Sequence, residues 1–285
     1  MKKGMFCLKR KKLYSVTRNL VEMYAHFHVS RAAAALSYFL TLTVFPLMIC
    51  LYTMLRRYIT DIDDIVRFLQ GIVPAETLDT LSDYMVYVTS HSGRGLFIAA
   101  IAVMLTSSSA AFRGLHTVFA EMQGKGRYHG IIFFIFSFIF SIVFLVIMYF
   151  AAIVIITGDW FLKFVGSYFP ILNVSLAWKW LRFVLLFAVL LLVLSGIYGL
   201  SAPKGTEKHL LLGAFAASAA LVTISVLFSW FIGMSTRYSL IYGSLASIII
   251  LMFWLYICAI IIIMGNALNI VVRKMPSKKT DISKE

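Results

Sequence analysis

Arg237 is the only charged residue between positions 209 and 272, and it stands beside Tyr238, Tyr242 and Gly243 in the segment STRYSLIYGS. A guanidinium next to two phenols offers a fork of donors suited to a phosphate or carboxylate. The same pattern also describes an arginine snorkelling out of an interfacial aromatic belt. A second polar cluster, Ser37, Tyr38, Thr41 and Thr43, precedes Pro46. Proline inside a helix removes one backbone hydrogen bond, and a helix opened there turns carbonyls and amides toward a ligand. A third group follows Trp254, where Asn266 and Asn269, three apart, share one helix face and can reach a neighbouring helix or a cavity. The candidate substrate-binding residues are therefore Ser37, Tyr38, Thr41, Pro46, Arg237, Tyr238, Tyr242, Gly243, Trp254, Asn266 and Asn269.

None of these patterns is a catalytic one. Cys7, Cys50 and Cys258 lack metal-ligand spacing, and the six histidines (His26, His28, His91, His116, His129, His209) never fall as two ligands on one helical face. No phosphate-binding loop occurs, and Gly124 and Gly126 in QGKGR read as a turn. The sequence thus predicts no catalytic residue, no metal and no cofactor, and a protein that is not an enzyme.

The elements that must position these residues follow from composition. Of 285 residues, 61% are hydrophobic and 13% charged, and the mean hydropathy is +0.91. Soluble domains hold about half apolar and a quarter charged residues, so this chain belongs in a membrane. Six stretches free of Asp, Glu, Lys and Arg are long enough, or nearly so, to cross hydrocarbon: 32–55, 95–112, 128–158, 183–203, 209–236 and 238–272. They are too long and too uniformly apolar for barrel strands. The expected fold class is an all-α membrane protein, a bundle of six transmembrane helices forming one membrane domain over residues 1–285. The second stretch is the shortest, and its Thr106, Ser107, Ser108 and Ser109 need backbone or neighbouring-helix partners. Gly213, Ala216, Ala217, Ser218 and Ala220 give the fifth a small-residue face for close packing.

An even number of spans places both termini on one side. The tails and the loops on that side carry 18 Lys and Arg against five acids, and the opposite loops carry eight against seven. The net charge of +14 therefore divides into +13 and +1, and the basic side is expected to be cytoplasmic. This turns a possible nucleic-acid signal into orientation; the expected partners are membrane lipids, including anionic ones, and not nucleic acid. Leu13, Val16, Leu20, Tyr24 and Phe27 predict an amphipathic interfacial helix within the tail 1–31, and Ser30 a cap for the first span. The loop 56–94 predicts two amphipathic extracytoplasmic helices, and 273–285 a cytoplasmic tail. By construction no charge lies inside the six stretches, so a proton-driven mechanism has no evident carrier.

The segments AAAALSYFLTLTVFPL and GAFAASAALVTISVLFSWFIGMSTRYSLIYGSLASIIILMFWLYICAIIIIMGNALN resemble the YihY/BrkB family of bacterial inner-membrane proteins across essentially the whole chain. Its specific parts are Ala35, Tyr38, Pro46, Tyr242, Gly243, Trp254, Gly265 and Asn269. Where the family usually ends in Gly, Ala, Glu, Leu, Asn, this chain has Gly265, Asn266, Ala267, Leu268, Asn269, with an amide and no carboxylate. The resemblance implies a multi-pass protein of the bacterial plasma membrane. It brings an old ribonuclease BN label regarded as misapplied, and links to serum resistance and envelope lipid export. The expected function is a transporter or lipid-handling protein for an amphipathic, anionic envelope molecule, with Pro46 opening span one and Arg237, Tyr238 and Tyr242 meeting the head group. The alternative is a structural or partner subunit of an envelope complex.

Overall fold

The computed structural model describes residues 2–55, 82, 94–124, 134–143, 146–147, 174–202, 207–233 and 245–274. These form seven helices: α1 (Lys2–His26), α2 (Val29–Leu55), α3 (Arg94–Met122), α4 (Phe134–Val143), α5 (Val174–Ser201), α6 (Glu207–Gly233) and α7 (Leu245–Lys274). No strand occurs among the described residues. Four helices contain stretches long and apolar enough to cross a membrane: Val29–Cys50, Gly95–Met122, Leu210–Phe228 and Ile248–Lys274. The described apolar parts of the other two expected spans, Phe134–Val143 and Leu186–Ser201, are shorter. Apart from Ser82, the expected helices of the loop 56–94 before Arg94 lie outside the described residues, as do residues 275–285.

α2 lies along α3 and against α7, while α6 packs between α5 and α7. The main core draws Leu36 from α2, Phe119 from α3, Tyr198 from α5, Leu221 from α6 and Ile263 from α7. A smaller cluster joins Leu47 and Cys50 to Ala100 and Met104 at the far end of the α2–α3 pair. Large apolar side chains also point outward, among them Ile98, Phe215, Leu227 and Phe253. A face of this kind is stable against lipid tails and costly in water.

Three helix ends differ from the sequence expectation. α1 begins at Lys2 rather than near residue 13, and it applies Leu20 and Met23 to the bundle core, joined by Phe27 just after its end, while Tyr14 and Val21 stay exposed. α2 begins at Val29, so Ser30 already sits in its first turn and is not the cap. The break falls at His28, whose φ of 48° is left-handed and whose carbonyl accepts from the amides of Arg31 (2.9 Å) and Ala32 (3.2 Å). The Ser30 hydroxyl bonds instead to the Tyr256 hydroxyl of α7 at 2.7 Å.

The third difference concerns charge. α3 runs ten residues beyond the charge-free stretch and so carries Arg113 within an apolar helix. Its guanidinium donates to Ser109 Oγ at 2.6 Å and lies 4.7 Å over the ring of Phe134 in α4. A charge whose head is bonded and stacked costs less in an apolar setting than a bare one, and the helix therefore need not stop at it. The hydroxyl run just before it finds the partners it needs: Thr106 Oγ1 donates to the carbonyls of Ala102 and Val103, both at 2.9 Å, and Ser109 is fully buried.

Candidate functional site

α6 and α7 cross in close contact. Small residues permit it, since helices approach closely only where side chains are missing. A methyl group placed on Gly265 would stand 2.7 Å from Ala217 Cβ and would also strike the Tyr198 hydroxyl. One placed on Gly213 would strike the Gly265 carbonyl and come within 2.6 Å of Asn269 Cγ. Asn269 ties the crossing together, its Oδ1 accepting from the Gly213 amide (2.7 Å) and its Nδ2 donating to the Leu210 carbonyl (3.1 Å). Tyr198 closes the third side by donating to the Ile262 carbonyl at 2.7 Å. Asn266, one helical turn before Asn269, is equally buried, yet its Nδ2 has no partner among the described residues.

Open space lies where α1 turns into α2. An open groove of about 480 Å³ runs between α2 and α3, walled by Phe27, Ala32, Ala35, Leu36, Phe39 and Val118, with Arg31 and Glu121 at its polar margin. That volume falls within the range of ligand sites, about 300–1,000 Å³. A second hollow of about 390 Å³ is lined by Tyr24, Ala25, His28, Ser30, Arg31 and Ala34. His28 and Arg31 border both spaces, and the second contains donors from four residues and no carboxylate.

Those of the expected site residues that are described sit in separate surroundings. Ser37 and Thr41 are buried on α2 and give their hydroxyl hydrogens to backbone, Ser37 to the Ala34 carbonyl (2.9 Å) and Thr41 to the Ser37 carbonyl (2.8 Å). Tyr38 faces outward, half exposed. α2 continues as an α-helix through Pro46 to Leu55, so its described course is not opened at the proline. Trp254 packs against the core of α6 and α7, its indole Nε1 buried and without a partner among the described residues. Asn266 and Asn269 share one small void near the end of α7. Arg237, Tyr238, Tyr242 and Gly243 lie outside the described residues. Arg31, which borders both spaces, directly adjoins the first apolar stretch and so reads in the sequence as a boundary charge. The available signal was its place three residues after His28 and one after Ser30.

No group of three or more His, Cys, Asp or Glu among the described residues could hold a metal, and Cys50 and Cys258 are free and buried. The family model for virulence factor BrkB matches residues 20–285. The chain belongs to the BrkB family. It is a membrane protein, and the match takes in every helix described above except most of α1. Among BrkB relatives, the ribonuclease-like protein YfkH of Bacillus subtilis (strain 168) is 26% identical over 273 residues, 91% of this chain and 96% of that one. A UPF0761 membrane protein of Aliivibrio salmonicida (strain LFI1238) is 36% identical over 87 residues, 30% of this chain and 27% of that one. Another from Vibrio cholerae serotype O1 (strain ATCC 39315 / El Tor Inaba N16961) is 35% identical over 88 residues, 30% and 28% of the two chains. The chain thus spans under a third of these two relatives. No solved structure matches it.

Proposed function

We propose that this BrkB-family protein binds an anionic amphipathic lipid of the bacterial envelope at the α1–α2 elbow and handles it without catalysis, as a carrier or transporter. The observation that carries the reading is the pair of spaces that both have His28 and Arg31 in their walls. The hollow lined by Tyr24, His28, Ser30 and Arg31 has one cation, four residues able to donate and no carboxylate, and so suits a phosphate or carboxylate head. The groove between α2 and α3 offers Phe27, Leu36, Phe39 and Val118 to an acyl tail. Glu121, on the groove margin, disfavours an anion there and so favours the head lying on the α1 side.

In this reading six helices span the plasma membrane, both termini are cytoplasmic, and the elbow lies at the inner-leaflet interface. The excess of Lys and Arg on the tails supports that orientation. A groove open at its side is also what lipid access requires, whereas a purely structural envelope subunit has no need of one.

The test uses the full chain in nanodiscs, titrated with fluorescent phosphatidylglycerol and phosphatidylcholine. We expect tighter binding of the anionic lipid, with about a tenfold loss for Arg31→Ala, the worth of one charge-assisted contact of about 1.5 kcal/mol. Equal affinity for the two lipids, or an Arg31→Ala protein that keeps its preference, would remove this reading.

A further inference from the structure

We propose that one water molecule is bound where α3, α5, α6 and α7 end or begin, donating to Gln123 Oε1 and accepting from Asn266 Nδ2. This site is separate from the elbow and does not depend on lipid binding. Gln123 follows α3, Ala202 follows α5, Leu210 opens α6, and Asn266, Asn269 and Arg273 come from the last turns of α7; together they line a small void. The void holds about 10 Å³, which is close to what one water needs.

The chemistry of the lining selects the occupant. Asn269 spends its carbonyl on the Gly213 amide and its amide on the Leu210 carbonyl. Two buried polar atoms of the lining are left without a partner among the described residues. Asn266, 1% exposed, has Nδ2 without a partner, and Gln123 has Oε1 shielded from solvent without a partner, among the described residues. One is a donor and the other an acceptor, and a buried polar group left unpaired is costly. Water complements both at once. A cation would meet the Asn266 Nδ2 donor and an anion the Gln123 Oε1 acceptor, so neither complements both groups. The bound water joins the end of α3 to α7, a pair that otherwise meets sparsely.

A high-resolution structure of the full chain in nanodiscs tests this directly. Density for a neutral oxygen within about 3.2 Å of both amides is expected. An empty void, a direct Gln123–Asn266 hydrogen bond, or an ion that exchanges with bromide or thallium would overturn the proposal. Thermal unfolding gives a second reading through Asn266→Leu, Gln123→Leu and the double variant. Each single change leaves one polar partner stranded, so the midpoint should fall with each, and the double should fall by less than the sum. Strict additivity would count against a shared water, and should the variants fail to fold, the structure of the unaltered chain decides alone.

Discussion

Gly265 and Gly114 are both helical glycines of the same bundle, and they sit in opposite surroundings. A Cβ on Gly265 meets Ala217 and the Tyr198 hydroxyl, whereas a Cβ on Gly114 meets nothing within 4 Å. The first belongs to the α6–α7 crossing, where the lack of side chains lets backbones touch and Asn269 fasten them. The second lines the groove between α2 and α3, where the lack of a side chain leaves room. One residue type thus builds a close crossing at one place and an open groove at another, and only the neighbours differ.

The sharpest way to break this contrast is Gly265→Leu, which forces the crossing apart. Overpacking should cost about 3 kcal/mol or more, read as a large fall in the thermal midpoint and loss of monodisperse protein in detergent. Asn269→Leu removes both bonds to α6 while keeping volume, and a loss of about 1–2 kcal/mol is expected by the same measurement. Gly114→Ala should act in the other direction. With open space at Cβ, the gain in helix propensity stabilises α3 by about 0.5–1 kcal/mol, whereas a fall in stability would mean that the groove is closed in solution. Arg31→Ala should leave stability within about 0.5 kcal/mol while weakening anionic-lipid binding; a large stability change would make the elbow scaffold rather than site.

The candidate site was less legible than the helices, for reasons visible at single residues. Asn266 and Asn269 look alike in sequence, three apart on one face. Asn269 happens to oppose the start of α6 and finds an amide and a carbonyl there, while Asn266 faces a void. Ser37 and Thr41 looked like ligand groups, but a hydroxyl in a helix can bond its own preceding turn, and here both do. Arg113 looked like a loop boundary because an uncompensated charge ends a span. Compensation by Ser109 and by Phe134, 21 residues later, is a tertiary fact.

Membrane residence, the helical class, the positions of the apolar segments and the family were determined by sequence alone. Each rests on the transfer of side chains into hydrocarbon or on local motif identity, and such terms act residue by residue whatever the neighbours. The tertiary structure alone decided which small residues meet, where α3 stops, and that Arg31 rather than Ser37 or Thr41 borders open space. Those outcomes depend on distances between atoms far apart in the chain, as between Gly213 and Gly265 or Ser30 and Tyr256, and no local pattern encodes them.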